Sequence, residues 1–193
     1  PLRLQVIPSP GETTVLDDES TDPLAEAQFV PVPGLIHKYK SRVLWLISNQ
    51  CPIHCRFCFR RYRPNPDSAP NTPPTSQTME AVFDYIETHT SITELILSGG
   101  DPLMLPPDQI KFVMNRAKLI PHLRLLRIHS RCPVAEPLRM NKYGFLLSDS
   151  DLMIRLVIHI NHPNEISEEM IKSTTDWIRR GIPVLSQSVL LRG

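Results

Sequence analysis

Five short apolar runs recur along the chain, and helix-like segments separate most of them. This alternation constrains the fold more than any other feature of the sequence. The runs lie at residues 43–47, 95–97, 123–128, 152–160 and 182–191. The first of them, Val-Leu-Trp-Leu-Ile, is apolar throughout, as expected for a strand that is buried on both faces. Amphipathic helical patterns occupy residues 78–89, 108–118 and 167–180. Strands and helices that alternate at this spacing predict an α/β fold built on a parallel sheet.

The number of strands leaves two architectures open. Five strands are too few to close a barrel, so the pattern fits either part of a (β/α) barrel or an open, doubly wound sheet. Residues 1–41 are rich in Pro, Asp, Glu and Thr. We predict that they form an extended lead-in with little regular structure, followed by a core of residues 42–193. In both architectures, functional groups gather at the carboxyl ends of the strands.

The composition argues against a protein that binds nucleic acid or a membrane. The 21 Lys and Arg residues balance 20 Asp and Glu residues, for a net charge of +1, so no overall charge favours an anionic partner. No apolar run approaches the ~18 residues of a membrane-spanning helix. The chain begins at Pro1 and ends directly after an apolar run, and we therefore expect a fragment of a longer protein.

Three of the four cysteines lie within eight residues. Cys51, Cys55 and Cys58 follow the first predicted strand, and Cys132 is distant. This spacing favours chelation over disulfide pairing, which predicts a reducing, cytoplasmic location. Zinc is one candidate metal, with His54 or Cys132 as the fourth ligand, and chance packing is the plainest alternative. The favoured interpretation is a four-iron cluster, because three thiolates leave one iron without a protein ligand and open to a small molecule.

This segment resembles the radical S-adenosylmethionine (SAM) superfamily, in which three such cysteines hold a [4Fe–4S] cluster and SAM binds the fourth iron. Further motifs resemble the lysine 2,3-aminomutase family. They are Pro-Val-Pro-Gly-Leu-Ile-His-Lys-Tyr at residues 31–39, Asn-Gln-Cys at 49–51, Cys-Phe-Arg-Arg at 58–61, Leu-Ser-Gly-Gly-Asp-Pro-Leu at 97–103, Asn-His-Pro-Asn-Glu-Ile at 161–166 and Gln-Ser-Val-Leu-Leu-Arg-Gly at 187–193. The resemblance implies a partial TIM-type (β/α)6 barrel, with about five parallel strands present and the C-terminal strand missing.

The resemblance also implies roles for single residues. The expected SAM contacts are Phe57, Ser98, Gly99, Gly100, Asp101, His159 and Gln187. The expected contacts of substrate or of pyridoxal phosphate (PLP) are Tyr39, Arg42 and Arg60. Of these, Arg60 matches the arginine that holds the substrate carboxylate through a bidentate fork. Each role has a structural alternative: a tight turn and helix cap at residues 98–101, solvated surface arginines, and a satisfied structural histidine.

By resemblance, the activity is the isomerisation of lysine to β-lysine, with the [4Fe–4S] cluster, SAM and PLP as cofactors. His-Lys-Tyr at residues 37–39 and Arg-Ile-His-Ser-Arg at 127–131 are closest to the branch that acts on elongation factor P. The branch that acts on free lysine more often has Gly in place of His129. A flavodoxin or ferredoxin is the expected electron donor.

The family's PLP-anchoring lysine lies beyond the last residue of this chain, so we expect the chain alone not to complete turnover. Two other classes of function remain open at this point. One is a structural module that binds zinc through the cysteines, and the other is a radical SAM enzyme that does not use PLP.

Overall fold

A computed structural model describes residues 2–13, 20–60, 74–148 and 152–190. At its centre, six strands of the described part follow one another across a single sheet in chain order. They are β1 Leu35–Tyr39, β2 Arg42–Ser48, β3 Glu94–Gly99, β4 Leu125–Ser130, β5 Met153–His159 and β6 Val184–Gln187. β1 pairs antiparallel with β2, and every later pair is parallel. The predicted α/β fold with five parallel strands is therefore confirmed.

Helices connect the parallel strands. They are α1 Ser76–Thr88, α2 Pro107–Lys118, α3 Cys132–Ala135, α4 Asn141–Ser148 and α5 Glu168–Arg179. Side-chain oxygens cap α1 and α5, because Thr75 accepts the backbone N–H of Thr78 and Ser167 accepts that of Met170. Gly181, in the left-handed backbone conformation, follows the end of α5. None of the helices in the described ranges combines the length and the hydropathy that a bilayer crossing requires.

The sequential strand order decides between the two architectures that the sequence left open. Right-handed crossovers that always add the next strand at the same edge put their helices on one face of the sheet. An apolar core fills the space between that face and the helices, with Trp45 and Phe83 in edge-to-face contact at 5.8 Å between ring centroids. A doubly wound sheet would reverse its strand order and carry helices on both faces. The described residues therefore form a partial (β/α) barrel that is not closed.

We call the other face of the sheet the inner face. Along each strand, successive side chains point alternately to the core face and to the inner face. In β4, for example, Leu126 and Ile128 are fully buried, whereas Arg127 and His129 on the inner face are only partly buried. Polar and charged side chains are therefore concentrated on the inner face, where a ligand could reach them.

The structure differs from the sequence prediction at both ends. Leu35–Tyr39 forms the edge strand β1 within the predicted lead-in, and short 3-10 helices lie at Arg3–Gln5, Pro10–Thr13 and Ala27–Phe29. The polar His-Lys-Tyr half of β1 gives no apolar run, which is why the pattern did not predict it. β6 ends at Gln187, so residues 188–190 do not extend it as predicted. Residue 191, the last residue of the fifth predicted strand, lies outside the described residues.

Candidate active site

The candidate site lies where the parallel strands end, around one cavity that we call the strand-end cavity. Eleven of the thirteen residues assigned to a site from the sequence line it, namely Cys51, Cys55, Phe57, Cys58, Arg60, Ser98, Gly99, Gly100, Asp101, His159 and Gln187. His129, Ser130, Arg131 and Asn161 also line it. The loops after successive parallel strands meet at one edge of a sheet, and this brings together residues that are far apart in sequence.

The cysteine loop, residues 51–58, begins shortly after β2. All three of its thiols are partly buried, and none forms a disulfide. Within the described ranges, no three His, Cys, Asp or Glu side chains are placed as ligands of a single metal ion. The three thiols line the same cavity.

The N-terminal segment, residues 2–13, holds the cysteine loop in place. The backbone N–H of Arg56 donates to the carbonyl oxygen of Gln5 at 2.9 Å. The Arg56 side chain donates to the carbonyl of Leu4 and pairs with the carboxylate of Glu12 at 2.9 Å. No local pattern in the sequence predicted a role for this segment, because its contacts join it to residues more than forty positions away.

Two glycines allow the end of β3 to approach the end of β2 and the start of the cysteine loop. A Cβ atom on Gly99 would lie 2.6 Å from the carbonyl oxygen of Ser48, and Gly99 has a φ of +107°. A Cβ atom on Gly100 would lie less than 3.0 Å from the backbone of Gln50. The N–H groups of Gly100 and Asp101 donate to the carbonyls of Ser48 and Gln50, each at 2.6 Å. The glycines therefore fix the cysteine loop against the sheet, and their N–H groups are not what a ligand would meet.

The carboxylate of Asp101 is buried and bonded within the protein. It accepts hydrogen bonds from the Ser130 hydroxyl at 2.8 and 2.9 Å and from the backbone N–H groups of Leu103, Arg131 and Cys132. Burial raises the pKa of Asp101, and these hydrogen bonds act in the opposite direction. Asp101 thus ties the loop after β3 to the loop after β4. This arrangement favours the structural alternative for Asp101 over direct contact with SAM.

Two histidines face each other in the strand-end cavity. The His129 and His159 ring centroids are 5.8 Å apart, and the Nε2 atom of each ring is buried without a hydrogen-bond partner among the described residues. Burial lowers the pKa of His129 to about 4, and the neighbouring His159 acts in the same direction. Burial also lowers the pKa of His159, assisted by Arg131. Both rings are therefore neutral at pH 7 and keep a ring nitrogen for a polar ligand.

We expect the free energy of unfolding to fall as the pH drops from about 6.5 towards about 4. In this interval the unfolded chain binds a proton at His129 that the folded chain does not, so stability rises with pH and is complete above the unfolded pKa. The loss at the acid end is on the order of 2 kcal/mol. Urea unfolding at a series of pH values, in wild type and His129→Gln, measures this contribution as the difference between the two curves. Parallel curves would contradict it.

The Arg60 guanidinium already forms a fork with a carboxylate. Its Nε and Nη2 atoms donate to Glu26 at 3.1 and 2.6 Å, and both side chains are mostly buried. The guanidinium also lies over the ring of Phe59, 4.5 Å from the centroid. Arg60 therefore meets a carboxylate with the bidentate geometry expected of it, but this carboxylate belongs to the chain itself.

The structure does not bring Tyr39 and Arg42 into the strand-end cavity. Arg42 begins β2 opposite Glu94, four positions before Ser98 on β3, which is about 13 Å at ~3.3 Å per residue. The Arg42 guanidinium lies over the ring of Tyr39, which is 59% exposed, and 3.9 Å from the carboxylate of Glu94. Tyr39 and Arg42 therefore lie at the opposite ends of the strands from the cavity, and their expected contact with substrate or PLP stays a prediction.

Arg131 is the functional candidate that the sequence reasoning missed. Its side chain is 7% exposed, and its Nη1 atom donates to the sulfur of Cys55 at 2.8 Å. Its Nη2 atom pairs with Glu165 at 2.6 Å and also donates to Gln5. The sequence placed residues 129–131 at the end of a predicted strand, but no local signal tied the arginine to a cysteine 76 positions away.

Comparison with known proteins adds a family and several relatives. The model of the radical SAM superfamily matches residues 45–193. The chain is 41% identical to the L-lysine 2,3-aminomutase of Buchnera aphidicola subsp. Baizongia pistaciae, 39% identical to that of Escherichia coli strain K12 and 36% identical to that of Clostridium subterminale. In each case the whole chain is aligned, and it covers 56%, 55% and 46% of the relative, respectively. The chain thus spans about half the length of the curated relatives it matches.

Proposed function

Because the chain belongs to the radical SAM superfamily, we propose that it forms the cluster- and SAM-binding part of a lysine 2,3-aminomutase, an isomerase that converts lysine to β-lysine. The observation that carries the proposal is the strand-end cavity. There, three cysteines of one loop face the glycine turn after β3 and the two neutral histidines. The names of the relatives, all lysine 2,3-aminomutases, supply the reaction.

The residues of the cavity fit a cluster with one open iron. Cys51, Cys55 and Cys58 supply three thiolates from one loop, and Cys132 is fully buried with its sulfur 3.9 Å from that of Met104. Three protein ligands leave one iron of a four-iron cluster for SAM. When bound, the cluster would supply the electron that cleaves SAM and so starts the rearrangement.

The polar groups around the cavity suit the remainder of SAM. The amino group of SAM can donate hydrogen bonds, and the N–H groups of Gly100 and Asp101 are already used, so we assign it to the backbone carbonyls of Ser98 and Gly99. His159 and Gln187 end adjacent strands, β5 and β6, and pair in register. Because His159 is neutral at pH 7, it can donate to or accept from an uncharged polar group of the cofactor.

We also propose that the intact protein binds PLP. The inner face below the cavity carries Arg42, Arg127 and Arg155, the last two paired in register, and Glu94 is bonded to Arg127 and lies close to Arg42. The Nε atom of Arg127 is buried without a partner among the described residues. This excess of positive charge fits a phosphate group, and it keeps the expected role of Arg42. Lysine is not among the described residues that line the strand-end cavity.

We assign the substrate α-carboxylate to the Arg60 fork, in place of Glu26. We expect Arg60→Lys to raise the KM for lysine at least about tenfold, because an ammonium group cannot form the fork. Glu26→Gln should lower the KM several-fold, since it removes the competing carboxylate. Steady-state kinetics of the intact protein, with iron content as a control for the cluster, measures both effects. If Glu26→Gln raised the KM as much as Arg60→Lys, the fork would be a structural ion pair and the assignment would be wrong.

We further propose that the substrate is a lysine destined for elongation factor P, that a flavodoxin or ferredoxin supplies the electron, and that the protein acts in the cytoplasm. The support is the resemblance of residues 37–39 and 127–131 to that branch, together with four cysteines that form no disulfide. His129 is the distinguishing residue that lies in the cavity.

The experiment is an anaerobic assay of the intact protein with SAM, PLP, dithionite and L-lysine. We expect β-lysine and 5′-deoxyadenosine to form. Coupling of this β-lysine to elongation factor P, in a second reaction with an ATP-dependent ligase, would support the branch. Cleavage of SAM without β-lysine would leave a radical SAM enzyme of another specificity, and the absence of both products would contradict the proposal.

A further inference from the structure

Arg131 is a buried cation in direct contact with a cysteine of the proposed cluster. Its backbone is fixed by a hydrogen bond from its N–H to Asp101 at 2.6 Å. Its side chain donates to the Cys55 sulfur at 2.8 Å and lies 5.9 Å from the centroid of the Phe57 ring. The Nε atom is buried and has no partner among the described residues. The guanidinium thus approaches the cysteine loop from the side of β4, with a donor still to spare.

Two acceptors hold the other end of this guanidinium. Glu165 pairs with Nη2 at 2.6 Å, and its second oxygen accepts the backbone N–H groups of Asn161 and His162 at 2.5 and 3.0 Å. Gln5 accepts from both Arg131 and Asn161. An ion pair buried this deeply is costly to desolvate and is weak support for stability by itself. Its position, with Nη1 donating to the Cys55 sulfur, points to a role toward the cysteine.

We propose that Arg131 is a positioning residue that orients Cys55 as a cluster ligand and raises the reduction potential of the cluster. This inference rests on the proposed function, because it requires the cluster. Hydrogen bonds to the sulfurs and the charge around them set the potential of an iron–sulfur cluster. Reduction adds one electron and no proton, so the cluster becomes more negative, and a nearby cation stabilises the reduced form more than the oxidised form. The electron comes from a low-potential donor, and dithionite replaces this donor in the redox titration.

The test is a redox titration of the intact protein without SAM, in which the electron paramagnetic resonance (EPR) signal of the reduced cluster is measured at each potential. We expect Arg131→Gln to lower the reduction equilibrium constant about tenfold, which is 59 mV for a one-electron couple. Gln5→Glu keeps the arginine and adds a negative charge beside it, and we expect a shift in the same direction. Arg180→Gln is the matched control. It also removes one positive charge, but on the surface, where Arg180 follows the end of α5 and pairs with Asp176. The reduction potential should therefore not change.

The outcomes separate this inference from the proposed function. If the wild type assembled no cluster, the proposed function would fail. If Arg131→Gln kept the iron content of the wild type and its potential, Arg131 would be only the structural partner of Glu165 and the inference would be overturned. If Arg131→Gln assembled no cluster, Gln5→Glu decides: a lowered potential supports the inference, and an unchanged potential overturns it.

Discussion

Replacing Cys55 with alanine should abolish the cluster and, with it, the cleavage of SAM. The variant keeps two thiolates, and two ligands cannot hold three irons of a cube, so we expect iron content after anaerobic reconstitution to fall to background. The effect on 5′-deoxyadenosine formation should be complete, because without the cluster nothing in the cavity supplies the electron. Iron analysis and a SAM cleavage assay on the same preparation measure both effects.

Cys132→Ala is the matched control for this experiment. Cys132 is fully buried, and burial, with Asp101 nearby, raises the pKa of its thiol, so that it remains protonated. We expect this variant to keep its iron and its SAM cleavage and to lose only about 1 kcal/mol of unfolding free energy from a small cavity. A Cys132→Ala variant that lost the cluster while Cys55→Ala retained it would mean that the ligands have been wrongly assigned.

Gly100→Ala should be strongly destabilising. The added Cβ atom would collide with the backbone of Gln50, which cannot move without displacing Cys51 beside it. We expect a loss of about 3 kcal/mol or more in unfolding free energy, together with most of the iron. Chemical denaturation of the apoprotein and iron content of the reconstituted protein measure the two losses separately.

Gly181→Ala separates this collision from the general cost of replacing a glycine. Gly181 has a φ of +84°, and nothing lies within 4 Å of an added Cβ atom. Its replacement should cost about 1 kcal/mol from backbone strain alone and leave the iron content unchanged. Equal effects of the two substitutions would show that conformational strain, and not the contact with the cysteine loop, accounts for Gly100.

Local patterns were sufficient for the parallel strands and for most of the strand-end cavity. An apolar run predicts a buried strand without reference to any other segment. The carboxyl ends of parallel strands lie at the same edge of the sheet, whatever the length of the connections, so Cys51, Ser98 and His159 could be placed together from the sequence. Tyr39 and Arg42 carried no strand-end signal, and their expected roles came from the resemblance alone.

Contacts between distant segments were beyond the sequence. Arg131 reaches Gln5 across 126 positions and Glu165 across 34, and Arg60 reaches Glu26 across 34. Each pairing depends on how the N-terminal segment folds back over the loops, and no period or spacing in a single sequence encodes that path. Asp101 shows the same difficulty, because its carboxylate accepts backbone N–H groups of Arg131 and Cys132, about thirty positions away.

EPR spectroscopy of the intact, reconstituted and reduced protein, before and after the addition of SAM, tests most directly whether the three cysteines hold a cluster with one iron open to SAM. We expect iron analysis to give about four irons per chain. We expect the EPR signal of the cluster to change when SAM is added, because SAM binds the iron that lacks a cysteine. A protein that took up only zinc, or a cluster whose signal was indifferent to SAM, would contradict this interpretation.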